Sequence, residues 1–372
     1  MAGTVKKDGA TWYFVLDLGK DAHGKRQQKK KRGFKTKKEA HAALVKLENE
    51  LVQGSYVEPS KMRYGEFLTN WLEDKKTKVK KSTHRTYQWL VEKHICPALG
   101  HNELRKITPM MIQSYYNQLY REGSLSGAII QKIHTLINDS LKKAERWELI
   151  SKNVASLVDR PKASRRDLNV WTLEQSKTFL KVSVDDRLYL AFHLALTTGM
   201  RQSEILGLRW KDVNYEDLSI SVTQILSHDG KSLNSGSKTA SSIRKVHVPQ
   251  ETIKLLERHF RKSQKEKEMY AELYSDHGLV ICTSVGTPVI PRNLMRSFYR
   301  LIEKAKLPKI RFHDLRHTHA TLLLSQGVNP KIVAERLGHA DVRITLDTYS
   351  HLLPSMQKET AQNFGKIMFG DQ

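Results

Sequence analysis

The sequence predicts a multidomain chain: a small three-stranded β-sheet backed by one helix, then an all-α domain, then a mainly α, α+β domain that carries the chemistry. Three observations predict it. The apolar pattern changes from alternating residues near the amino terminus to helical spacing beyond residue 36. A stretch of proline, small polar and basic residues, "RPKASRRDLNV" at 160–170, separates a helical first part from a part that mixes strands and helices. At 372 residues the chain has room for roughly two or three domains. The expected limits are 1–58, 62–158, a basic linker at 159–170, and 171–372.

Charge narrows the partners. Sixty-three Lys and Arg against 39 Asp and Glu leave a formal net charge of +24, a positive field that draws polyanions. Nucleic acid is the first partner class; a basic membrane-surface protein is the alternative. No stretch reaches the ~18 apolar residues of a spanning helix, and none has the pattern of a signal peptide, so a cytoplasmic protein without membrane contact is expected. Cys96 and Cys282 are far apart with no metal-ligand spacing and are expected to be buried thiols.

The elements follow in order. "TWYFVLDL" at 11–18 has the aromatic and β-branched content of a strand, and a second extended run ends at Gly33 and Phe34. Thr36 followed by Glu39 reads as a capping box for a helix over 37–52, with Ala40, Leu44, Leu47 and Leu51 on one side. Ten basic residues against one acidic between Lys20 and Lys38 suit this sheet to a DNA groove; a solvated basic hairpin is the plainer reading.

From 62 to 158 the pattern is helical. Phe67, Trp71 and Leu72 form one core face, and Tyr87, Leu90, Val91 and Ile95 another after a Ser82 or Thr83 cap. Pro109 suits a first helical position after Thr108, Gly123 ends that helix, and Ser126 opens the next. The run "DKKTKVKKSTHR" offers phosphate contacts. The third domain is expected to begin near Trp171. It has strands at 218–226 and 243–249 around a Gly/Ser/Lys loop, and helices at 173–182, 186–198, 250–268, 291–306, 313–325 and 330–337.

The chemistry is concentrated in "FHDLRHTHA", residues 312–320. His313, Arg316 and His317 stand three and four apart and share one side of a helix. The His313/His317 spacing also suits zinc, but the glutamate of a metalloprotease helix is missing and Arg316 would oppose a metal charge. A guanidinium beside imidazoles suits a phosphate better. "TTGMRQSEILGLRW" supplies a second arginine, Arg201, with Glu204 three residues on to hold it. Lys238 lies on the loop "SGSKTASS", His339 in a turn after Gly338, and Tyr349 on a short helix; each alone could be solvated or core.

Together these motifs resemble one family, the tyrosine recombinases, the site-specific integrases of phages and conjugative transposons. The resemblance covers essentially the whole chain. It rests on "TGMRQSEILGLRW", "KTASSIRKVHVP", "HDLRHTHATLLL" and "LGHADVRITLDTY". The family pattern of two arginines, a hairpin lysine, two histidines and a tyrosine falls on Arg201, Lys238, His313, Arg316, His339 and Tyr349.

The resemblance implies a DNA strand transferase that forms a 3′-phosphotyrosyl intermediate, with no metal, ATP or other cofactor. Arg201 and Arg316 would balance charge on the phosphate, Tyr349 would attack with His313 as its base, His339 would donate to the phosphate, and Lys238 would protonate the departing 5′ oxygen. It also implies core and arm attachment sites on double-stranded DNA, a homotetramer on that DNA, an excisionase, a host DNA-bending protein, and a carboxy-terminal tail packed on a neighbouring subunit. Packing of the tail on its own domain is the alternative. A type IB topoisomerase, a catalytically inert DNA-binding regulator and a metal-dependent nuclease are the rival readings.

Overall fold

The computed structural model describes residues 3–20, 26–52, 61–162, 168–235, 243–349, 361–362, 364–365 and 367–370. It divides into two compact units, Met1–Arg166 and Asp167–Gln372.

The first unit opens with three antiparallel strands in the order β1 (Gly3–Asp8), β2 (Thr11–Lys20) and β3 (Arg26–Phe34), followed by α1 (Lys37–Val52). Alternation along β2 buries Phe14 and Leu16 against Leu44 of α1, a small core of its own. The opposite face carries Tyr13, with Lys30 Nζ 4.2 Å and the Arg32 guanidinium 5.7 Å from its ring centre, so cations are held over an aromatic platform. At the start of α1 the Thr36 hydroxyl accepts from the Glu39 N–H at 3.2 Å, and the Glu39 carboxylate reaches back to the Lys35 N–H at 3.0 Å. Strand β1 has no clear signature in the sequence, because "GTVKKD" has a single bulky apolar residue.

The helical part comprises α2 (Tyr64–Lys76), α3 (Lys81–Leu90) continuing through a π-helical turn at Val91–Ile95 into α4 (Cys96–Leu99), α5 (Pro109–Glu122) and α6 (Gly127–Arg146). Phe67, Trp71, Leu90, Ile95, Ile112, Tyr116, Ile133 and Ile137 form its core, so Phe67, Trp71 and Tyr116 are packing residues, whereas Trp89, Tyr120 and Trp147 stand exposed. Thr108 caps α5, accepting from Met111 N–H at 3.3 Å with Pro109 at the first position, and Gly123 ends the helix at φ 62°. The expected Ser82 or Thr83 cap is corrected: α3 begins at Lys81 with Lys80 in the extended capping position, which leaves both hydroxyl residues inside the first turn. Cys96 is also corrected, being only half-buried, while Cys282 is buried; both are free thiols. Of the 159–170 stretch, its first residues are pinned: the Pro161 carbonyl accepts from Gln131 at 3.1 Å and the Lys162 carbonyl from the Tyr120 hydroxyl at 3.0 Å. Residues 163–167 lie outside the described residues.

The second unit contains α7 (Leu173–Ser183), α8 (Tyr189–Thr198), α9 (Gln202–Leu206), β4 (Val213–Asn214), β5 (Ser219–Val222), β6 (Gln224–Leu226), β7 (Leu233–Ser235), β8 (Arg244–His247), α10 (Gln250–Tyr270), α11 (Pro291–Lys304), α12 (Phe312–Ser325), α13 (Pro330–Leu337) and α14 (Val342–Tyr349). β4, β5 and β8 form one antiparallel sheet, and β6 pairs with β7. Strand β7 falls inside the stretch expected as loop; three residues, "LNS", give no periodicity to detect. Helix α8 is apolar all round, as befits the centre of the domain, and Phe192 meets Phe179, Phe298 and Phe312 there. Among the described residues no helix is long and apolar enough to cross a membrane.

One core contact sets a pH limit. His319, 6 % exposed, lies between the Leu196 carbonyl (2.8 Å from Nδ1) and Arg336, whose Nε donates to His319 Nε2 at 3.0 Å. An acceptor at Nε2 requires the neutral ring, and burial followed by the Arg336 charge pushes its pKa from 6.5 down to about 3. For a base with a depressed folded value, the unfolded chain binds the extra proton. Stability is therefore complete above pH 6.5 and falls as pH drops toward 3, by about 1.4 kcal/mol per pH unit from this ring. His319→Gln, which has no such titration, is expected to flatten the acid limb of the melting temperature against pH; an unchanged limb contradicts this.

Candidate active site

The backbone around Gly199 brings the site together. Helix α8 ends there at φ 66°, and a Cβ at Gly199 would lie 2.6 Å from Leu337 Cδ2 and 2.8 Å from His319 Cδ2, so only glycine fits. Its carbonyl accepts from Arg316 Nη1 of α12 at 2.8 Å, and Arg316 Nη2 donates to the Leu337 carbonyl at the end of α13 at 2.7 Å. Arg316 is buried, and among the described residues no carboxylate pairs with it; carbonyls orient the fork, and a guanidinium has five N–H groups. Burial first, then the Arg201 charge, pushes its pKa down to about 9, so it remains a cation at neutral pH.

Arg201, half-exposed at the start of α9, is held by Glu204: Nη1 donates to Oε1 at 2.7 Å, and the Arg201 N–H donates to Oε2 at 2.8 Å. Glu204 is 1 % exposed. Burial opposes its charge, but the hydrogen bonds and charge of Arg244, with the Arg201 charge, outweigh that and hold the carboxyl below its usual range.

Tyr349, at the end of α14, is 2 % exposed, and burial pushes its phenol pKa upward against the opposing pull of Arg316. Its hydroxyl is hydrogen-bonded to Nδ1 of His317 at 2.7 Å. His313, expected as the base for Tyr349, lies one turn earlier on α12 than His317, and its ring meets His317 edge-on with centres 5.0 Å apart. Burial, then the charges of His317, Arg316 and Arg201, lower His313 to about 4. His339 follows the left-handed Gly338 at the end of α13, and its Nδ1 is 2.8 Å from Thr345 Oγ1. Burial and the Arg316 and Arg201 charges lower it to about 4. The structure thus brings together Arg201, His313, Arg316, His339 and Tyr349 in one electrostatic neighbourhood. Lys238 lies outside the described residues.

Sequence reasoning missed Arg244 as a member of this group and passed over His317 in favour of His313. His317 already shared a helix face with the other two; Arg244 gave no signal beyond a cation at a strand start. The arrangement is a cluster of arginine cations with neutral imidazoles and one phenol. It can bind a phosphate, balance developing charge on its oxygens and present a nucleophile. Among the described residues no group of three His, Cys, Asp or Glu is placed to hold a metal ion.

Comparison with known proteins places this site in a family. The phage integrase family model matches residues 170–356, half of the chain; an arm DNA-binding domain model matches 4–51, and a phage integrase N-terminal SAM-like domain model matches 64–120. The chain belongs to the phage integrase family. It is a tyrosine recombinase, an enzyme that cleaves and rejoins DNA strands in site-specific integration and excision. Its relatives include a tyrosine recombinase XerC-like protein of Caldanaerobacter subterraneus, 28 % identical over 97 % of both chains. The ICEBs1 integrase of Bacillus subtilis is 28 % identical over 90 % of this chain and 91 % of its own. Its fold is similar to that of the Tn1549 transposon integrase in complex with transposon right end DNA, with a TM-score of 0.69 at 21 % identity over 81 % of this chain and all of that one. A lambda integrase dimer bound to a COC′ core site has a TM-score of 0.59 at 19 % identity, covering 77 % of this chain and 95 % of that one.

Proposed function

We propose that Tyr349 attacks a DNA phosphodiester, forming a 3′-phosphotyrosyl bond as the bond to the 5′ oxygen breaks. Arg201 and Arg316 balance the charge on the non-bridging oxygens. The phenol proton passes to His317, His313 and His339 hydrogen-bond the phosphate, and Lys238 returns a proton to the departing oxygen. A 5′ hydroxyl from another duplex reverses the step, so the number of ester bonds is conserved and no energy source is consumed. The single observation that carries this reading is the 2.7 Å contact between the Tyr349 hydroxyl and His317, beside an arginine oriented by carbonyls.

A phenol with a pKa near ~10 is ionised in roughly one molecule per thousand at neutral pH, and burial here lowers that fraction. A proton acceptor in contact is therefore worth more than a distant one. His317→Ala is expected to slow cleavage about 100-fold near neutral pH and to recover as pH rises toward the phenol range, while His313→Ala shows no such recovery. Parallel pH profiles for the two variants would return the base role to His313.

The domain limits 1–58, 62–158 and 171–372 are proposed as an arm-site reader, a core-site reader and the catalytic domain. The arm reader is supported by the cations over Tyr13, and a DNA partner by the two similar integrase structures, each bound to DNA. On DNA a tetramer is proposed, with the tail packing on a neighbouring subunit. Phe364, Ile367, Met368 and Phe369 stand exposed, which favours that over packing on its own domain. An excisionase and a host bending protein are proposed partners by family analogy alone.

A further inference from the structure

We infer that Arg244 is a positioning residue for strand cleavage: its guanidinium fixes both the carboxylate that holds Arg201 and the last turn of α13 that leads to His339. This deepens the catalytic reading and rests on Arg201 and His339 meeting the phosphate.

The contacts define the role. Arg244 opens β8, and only 6 % of its side chain is exposed. Its Nη2 donates to Glu204 Oε2 at 2.8 Å and its Nη1 to Oε1 at 3.2 Å, while Nε donates to the Arg336 carbonyl at 2.8 Å. Glu204 is thereby shared by two guanidiniums, with Oε1 also accepting from Arg201 at 2.7 Å. On the other side, Arg244 and Arg316 hold successive carbonyls, those of Arg336 and Leu337, in the final turn before His339. Gly338, at φ 67°, is pressed on the same side chain: a Cβ there would lie 2.9 Å from Arg244 Cδ.

A single plane of nitrogens thus joins three segments distant in sequence: α9 with Arg201, β8, and the turn with His339. Stability alone is a poor reason for this arrangement. A buried ion pair repays its desolvation only marginally, and apolar residues of similar volume would serve as well. What a fork adds is direction. Lysine keeps the charge but presents one nitrogen, so it cannot serve Glu204 and the Arg336 carbonyl together.

The test uses the full chain and nicked suicide duplexes carrying the element–chromosome junction beside the coding sequence. One duplex has a phosphodiester at the scissile position and the other a methylphosphonate, which lacks the charged oxygen. Arg244→Lys is expected to retain duplex binding and to cleave the phosphodiester about 100-fold slower than the unsubstituted protein. On the methylphosphonate the gap is expected to shrink to about fivefold, because a displaced Arg201 has no charge to balance there. Equal slowing on both duplexes, or no slowing on the first, overturns the inference. If Arg244→Lys melts below the assay temperature, Arg244→Gln is compared on the same two duplexes: a gap that shrinks on the methylphosphonate supports the inference, and equal or absent slowing overturns it. The underlying reading fails separately, if the unsubstituted protein cleaves the phosphodiester without forming an adduct on Tyr349.

Discussion

Tyr349→Phe is expected to bind its junction duplex as tightly as the unsubstituted protein and to form no covalent DNA adduct. The change removes one oxygen from a buried ring. In the resting fold it costs a single hydrogen bond to His317, on the order of 1 kcal/mol. Aromatic packing against α12 and α13 stays, with Ala320, Val333 and Leu337 still around the ring. Affinity lies with the basic surfaces, which the change leaves alone. Chemistry, by contrast, loses its only proposed nucleophile, so the drop should reach the floor of the assay. Denaturing gels on a nicked substrate separate the two quantities, and adducts persisting in the variant would remove Tyr349 from its role.

Arg316→Lys is expected to have the second largest effect, a fall in cleavage of about 100-fold or more, with duplex binding changed far less. The carbonyls of Gly199 and Leu337 take one N–H from each arm of the fork and so fix its plane. An ammonium cannot satisfy both carbonyls and still face a phosphate with two parallel donors. A stability loss accompanies the change, because a buried carbonyl left without a donor costs about 1–3 kcal/mol. Single-turnover cleavage at a temperature well below the variant's melting point isolates the chemical effect; near-normal rates there would show that charge alone suffices.

Much of the fold was legible because helices announce themselves by spacing and punctuation. The apolar positions of 37–52, the Thr108–Pro109 start and the glycines at 123 and 199 carry local rules that tertiary context did not override. What escaped were elements too short or too polar for periodicity, β1 and β7, and the start of α3, where two hydroxyl residues sit inside the first turn.

The site divides in the same way. Arg201 with Glu204 and the His313, Arg316, His317 set are separated by three or four residues, so a helix is enough to join them. The His317 contact with Tyr349 spans 32 residues and the Arg244 contact with Glu204 spans 40. Each depends on how helices and strands dock, and no local pattern encodes that. Choosing His313 over His317 followed family analogy; the docking of α14 on α12 sets the His317 ring against the Tyr349 hydroxyl, a contact that no local spacing shows.

The central claim is that a phenolic oxygen becomes bonded to phosphorus. It is tested most directly by trapping the protein on a nicked junction duplex, digesting with trypsin and nuclease, and sequencing the nucleotide-bearing peptide by mass spectrometry. The account predicts a 3′-linked nucleotide on the peptide that follows Arg343, at Tyr349, the only tyrosine before the next cleavage site at Lys358. A nucleotide on any other side chain, or cleaved DNA with no modified peptide, would contradict it.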